Sequence, residues 1–107
     1  MGTTKHNPYT GEWELVGNDW ECRHNPHTGK WKYVPPNAVT KQNPHTGEWE
    51  LVGSNWTCQH NPHTGEWKYA PLDGTTKHNP HTGEWELVGS TWTCQYNPHT
   101  GEWKYVP

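Results

Sequence analysis

An all-β fold of tandem β-hairpin repeats is predicted for this 107-residue chain by three observations. Asn-Pro recurs at 7-8, 25-26, 43-44, 61-62, 79-80 and 97-98, a spacing of 18 every time. Each pair opens the same phrase: Asn, Pro, His (Tyr9 in the first copy), Thr, Gly, Glu (Lys30 in the second), Trp. No segment carries apolar residues at helical spacing.

The phrase reads as a hairpin loop. Pro presets φ for the first turn position, and the Asn before it caps the turn with its side chain. Gly closes the loop in the left-handed conformation that ends a four-residue connection. If Asn25 pairs with Lys30 across the loop, His24 faces Trp31, Cys22 faces Tyr33 and Trp20 faces Pro35 on one side of the sheet. Arg23 and Lys32 then share the other side. In the odd repeats the same register sets Lys5 opposite Glu14, Lys41 opposite Glu50 and Lys77 opposite Glu86, and complementary charges are what cross-strand pairs favour.

A second period of 36 overlies the first. Trp20, Trp56 and Trp92 recur at it, as do Cys22, Cys58 and Cys94, while Leu15, Leu51 and Leu87 alternate with Tyr33, Tyr69 and Tyr105. One repeat domain over 1–107 is therefore divided into units 1–36, 37–72 and 73–107, each of two unlike hairpins. A two-residue turn at Gly17-Asn18 would carry one hairpin into the next and make each unit a four-stranded meander. Pro35-Pro36-Asn37-Ala38 and Pro71-Leu72-Asp73-Gly74 join the units, where Pro interrupts sheet pairing. Of two global arrangements, an open hairpin stack or solenoid is preferred to a closed pseudo-threefold ring. Exposed terminal repeats in such a stack favour end-to-end self-association.

The residue inventory narrows the function. A net charge of −3 argues against nucleic acid, and no run approaches the 18 apolar residues of a membrane span. Met1-Gly2-Thr3-Thr4-Lys5 carries no apolar signal core, so the chain reads as soluble. With four Leu, six Val and neither Ile nor Phe, the nine Trp supply most of the large apolar surface. Trp20, Trp56 and Trp92 are read chiefly as core, and Trp13 with its equivalents as core or ligand surface. The three Cys occupy equivalent positions, and no intrachain disulfide is expected.

Two resemblances follow from these residues. Trp20-Glu-Cys-Arg-His24-Asn25-Pro-His-Thr28-Gly-Lys-Trp31 resembles the second and third strands of WW domains, with Trp13 and Pro35 in the places of the first Trp and the closing Pro. That resemblance implies proline-peptide grooves built from Trp31, Trp67 and Trp103 with Trp20, Trp56 and Trp92. The Trp- and Tyr-rich hairpins are also similar in construction to the choline-binding repeats of bacterial surface proteins, which implies aromatic cages between successive hairpins.

Catalysis is not expected, because every acid, His and Cys is a copy of a repeat position and an active site needs one asymmetric constellation. No cofactor is implied. Cys22 with His24, and Cys58 with His60, are weak metal candidates: they lie two apart on a strand and thiolate and imidazole suit zinc. The loop His at 27, 45, 63, 81 and 99 would form an exposed row at the hairpin tips. The sharpest expectation is aromatic recognition by Trp13, Trp31, Trp49, Trp67, Trp85 and Trp103 with Tyr33, Tyr69 and Tyr105. The chain thus reads as a non-enzymatic repeat scaffold, structural or adhesive, presenting multivalent sites to a glycan or similar ligand at a microbial or viral surface. The alternatives are a tandem WW-like binder of proline-rich peptides and, since four of the six phrases are identical from Asn to Trp, a designed or consensus repeat without a natural function.

Overall fold

The computed structural model describes residues 2–107, and these form twelve strands and no helix. β1 (Gly2–His6) pairs with β2 (Trp13–Gly17), and β3 (Glu21–His24) with β4 (Trp31–Val34). β5 (Val39–Gln42) pairs with β6 (Trp49–Val52), and β7 (Thr57–His60) with β8 (Trp67–Ala70). β9 (Thr75–His78) pairs with β10 (Trp85–Val88), and β11 (Thr93–Tyr96) with β12 (Trp103–Val106). Every pair is an antiparallel hairpin and a separate two-stranded sheet; the sheets stay open, and no barrel closes.

Each loop forms as its residues dictate. Asn25 N donates to Lys30 O at 2.8 Å and closes the loop, and Gly29 N returns to Asn25 O at 2.7 Å. The loop glycines from Gly11 to Gly101 sit at φ 77–79°, where a side chain is strained. The register is the expected one, with His24 opposite Trp31, Cys22 opposite Tyr33 and Lys5 opposite Glu14.

The join inside each unit departs from expectation. β2 and β3 do not pair, so no four-stranded meander forms. Trp20 N donates to Gly17 O at 3.0 Å, making a β-turn centred on Asn18-Asp19, one residue beyond the expected Gly17-Asn18. The Trp20 indole folds back over Gly17 so closely that a Cβ there would lie 2.5 Å from Nε1. Trp20 lies just before β3, and both it and Pro35 line the cavity at the middle of the molecule.

Trp20, Trp56 and Trp92 meet there as a triangle with ring centroids 5.8–6.1 Å apart. They remain half-buried. The buried core is instead Leu15-Val16, Leu51-Val52 and Leu87-Val88 with Val34, Ala70 and Val106, all on second strands of hairpins. The close approaches between neighbouring hairpins also run through those strands. Nine aliphatics thus cover themselves by converging on one axis, which a row of Trp could not do without voids.

The outline measures 35 × 31 × 19 Å. Three units around the Trp triangle bring the last hairpin beside the first: Asn97 Nδ2 donates to Trp13 O at 3.0 Å, and His99 stacks on Trp13 at 4.0 Å. A Cβ on Gly2 would likewise meet Val106 at 2.5 Å. The stack of open sheets therefore has its end hairpins covering each other, a contact absent from the expectation of exposed terminal repeats. Each unit contributes one indole to the Trp triangle, so the three units surround it.

Candidate functional site

The six loop Asn are the buried polar groups of the chain, each at most 5 % exposed. Their Oδ1 caps the local turn: Asn43 accepts from His45 N at 2.9 Å and Thr46 N at 3.3 Å. Their Nδ2 reaches the next hairpin. Asn7 donates to Trp31 O, Asn25 to Trp49 O, Asn43 to Trp67 O, Asn61 to Trp85 O and Asn79 to Trp103 O at 2.9–3.1 Å, and Asn97 to Trp13 O closes the series. A buried amide satisfied on both ends is a strong constraint, since any unpaired group would cost its desolvation.

A stack accompanies each bond. Tyr9 lies on Trp31, and His27, His45, His63, His81 and His99 on Trp49, Trp67, Trp85, Trp103 and Trp13, at 3.7–4.0 Å and 9–13° between planes. The tip residues are exposed as expected, but they are not a free row. Cross-strand rings tilt onto the same indoles: His6 on Trp13, His24 on Trp31, His60 on Trp67, His78 on Trp85 and Tyr96 on Trp103 at 4.9–5.1 Å. The flat faces of these Trp are thus largely engaged within the chain, and what faces solvent is the edge.

Junctions inside a unit differ from those between units, which is the physical content of the 36-residue period. Inside a unit, Tyr33, Tyr69 and Tyr105 donate to His6 O, Gln42 O and His78 O at 2.8–2.9 Å. Asn7, Asn43 and Asn79 also donate to Glu14, Glu50 and Glu86 at 2.9–3.1 Å. Burial, with smaller contributions from the neighbouring thiol and carboxylate, pushes the three phenols above their ordinary range. Burial likewise raises the thiols of Cys22, Cys58 and Cys94, helped by Glu14, Glu50 and Glu86.

The expected Lys–Glu pairs share a register but not an ion pair. Lys5 Nζ donates instead to Asn18 O at 2.9 Å and Trp20 O at 2.7 Å, with Lys41 and Lys77 doing the same in their units. Each ammonium neutralises turn carbonyls that the Trp reversal leaves without strand partners, while the Glu is drawn off by Asn. The weak metal candidates are likewise engaged: His24 and His60 lie over indoles, and Cys58 Sγ approaches Asn43 Oδ1 at 3.6 Å. Among the described residues, no three His, Cys, Asp or Glu side chains are grouped to hold a metal ion.

Sequence reasoning passed over the most concave feature. The collar position reads Glu14, Lys32, Glu50, Lys68, Glu86 and Lys104 in successive hairpins, alternating in charge. Lys32, Lys68 and Lys104 line an axial cavity of about 390 Å³ together with the Trp triangle. Lys32, Lys68 and Lys104 are exposed residues at the rim of that cavity. Desolvation lowers the Lys32 pKa from the usual lysine value; Glu50 and Glu14 oppose the shift, and Lys68 and Lys104 add to it. The alternation was visible as a charge pattern at one repeat position, once the repeats are known to surround an axis. Shallower grooves of 430–550 Å³ lie between successive hairpins, lined by Glu, Thr, Lys and Trp edges.

These contacts define a class: a tandem β-hairpin repeat protein with Trp in each hairpin. No family model, curated protein or solved structure matches the chain. The WW-like reading would require strands on both sides of the Gly17 turn in one sheet, and β2 and β3 belong to different sheets.

Proposed function

We propose that the protein is a non-enzymatic structural or adhesive scaffold whose inter-hairpin grooves act as equivalent, weak sites for glycans. The observation that carries this reading is the repetition of one junction in every hairpin, with the same Asn bond and tip stack each time. Equivalent sites suit avidity, and repeated rigid junctions suit load-bearing or display. In the grooves, carboxylates and Thr hydroxyls beside a Trp edge offer the mixed polar and apolar surface that sugar rings take up. Trp13, Trp49, Trp67 and Trp85 are 37–40 % exposed, enough to contribute that edge.

The test is an array of glycans, choline analogues and proline-rich peptides, read with the wild-type chain and with Trp49→Leu and Trp67→Leu. Glycan binding that is weak for monovalent fragments, steep for multivalent ones and reduced in both variants supports the proposal. Retention confined to proline-rich peptides would favour the WW-like alternative. Silence across the array would leave a scaffold without ligand, the outcome expected of a designed or consensus repeat.

A further inference from the structure

The three lysines of the axial cavity occupy one repeat position, 36 residues apart, and so approach the axis from three equivalent directions. The carboxylates of the same collar each accept a hydrogen from the buried Asn of their own hairpin and keep their charge, Glu50 and Glu14 acting on Lys32 at a distance without a direct ion pair. Lys32, Lys68 and Lys104 have no hydrogen-bond or ion-pair partner among the described residues. The molecule's other three strand lysines, Lys5, Lys41 and Lys77, each make two bonds to carbonyls. The contrast lies within one chain: one set of lysines is used by the fold, and the other is left with open donors around a cavity. The cavity wall beyond them is mostly apolar, from Trp20, Trp56, Trp92 and the rings of Tyr33, Tyr69 and Tyr105 with core aliphatics, and Glu14 and Glu86 also line it.

We propose that the axial cavity is a binding site for one compact polyanion bearing about three oxyanion groups on a small, flat body. Lys32, Lys68 and Lys104 each take one oxyanion, and the Trp triangle meets the body. A cavity of about 390 Å³ lies within the size range of small-ligand sites. Charge-assisted hydrogen bonds to the three unpartnered ammoniums would hold the oxyanions. The inference differs from the groove reading in concerning one axial site per chain, although Lys32 and Lys68 also line grooves between hairpins.

The experiment is calorimetric titration of the full chain with benzene-1,3,5-tricarboxylate and, separately, with trimetaphosphate, at low ionic strength. One molecule bound per chain is expected, with shifted indole resonances from Trp20, Trp56 and Trp92. The triple variant Lys32→Gln/Lys68→Gln/Lys104→Gln should bind at least about tenfold more weakly, the loss of a single charge-assisted bond being enough for that factor. Lys30→Gln, which changes a lysine outside the cavity, should bind within about twofold of wild type. Should the triple variant fail to fold, the single Lys68→Gln variant and protection of Lys32, Lys68 and Lys104 from reductive methylation by the bound tricarboxylate give the same answer. No saturable binding of either probe, a stoichiometry near six, or affinity unchanged in the folded lysine variants would overturn the proposal.

Discussion

Exchange of Asn43 for Asp is isosteric and keeps the oxygen that caps the loop, but it removes both donated hydrogens. Trp67 O at 2.9 Å is then left without its partner, and the new carboxylate faces the Glu50 carboxylate across a former 3.1 Å hydrogen bond. An unpaired buried carbonyl costs about 1–3 kcal/mol. Two carboxylates in contact must share a proton, and raising one of them by about two pH units costs about 3 kcal/mol. Half-burial of Glu50 moderates this, so a total of about 4 kcal/mol is expected for Asn43→Asp. Asn61→Asp forms the control. It loses the bond to Trp85 O, but the collar residue of its hairpin is Lys68, not an acid, so about 2 kcal/mol is expected. At about 4–8 °C per kcal/mol for a domain of this size, the two melting temperatures should differ by about 10 °C at pH 7. The shared carboxylate titrates higher folded than unfolded, so its penalty shrinks as pH falls, and the gap should narrow at pH 4. Equal destabilisation of the two variants, or a gap independent of pH, would refute the Asn–Glu–carbonyl relay.

Gly65→Ala places a side chain at φ 79° with nothing within 4 Å, so strain alone should cost about 1 kcal/mol in urea denaturation. Gly53→Ala sets a Cβ 2.5 Å from Trp56 Nε1 and should cost more, with loss of near-ultraviolet ellipticity as the Trp triangle opens. The three thiols are free and raised by burial, so reductant should leave the melting temperature unchanged and alkylation at pH 8 should lag behind that of an unfolded control. Tyr33, Tyr69 and Tyr105 have raised folded pKa values, so the stability they contribute is present below about pH 10 and lost as pH rises through the folded value. Replacing all three by Phe should lower stability at pH 8 and flatten that alkaline decline in chemical denaturation curves.

The hairpins were legible because every determinant is local. Asn, Pro and Gly at fixed offsets set the loop, and the loop sets the register out to Cys22 and Tyr33. The meander failed because the turn can centre on Gly17-Asn18 or on Asn18-Asp19, and the choice falls to Trp20, which packs against Trp56 and Trp92 from other units. Likewise Lys5 has Glu14 as its cross-strand neighbour, yet Asn7 and two turn carbonyls divide the pair. Tertiary partners outbid the nearest charge in both cases. The axial cavity was illegible for the same reason: Lys32 lies on the polar side of its own hairpin, and only the convergence of three units gives that side an inside.

The central claim is that one junction, an Asn bond with a tip ring stacked on Trp, joins each hairpin to the next and joins hairpin six to hairpin one. Nuclear Overhauser contacts between tip rings and indoles test it most directly, in a sample with Trp, His and Tyr selectively labelled. The stacks at 3.7–4.0 Å predict six such contacts, including Trp13 with His99 at a separation of 86 residues. Five contacts with Trp13–His99 missing, or a Trp13–His99 contact that vanishes on dilution, would contradict it.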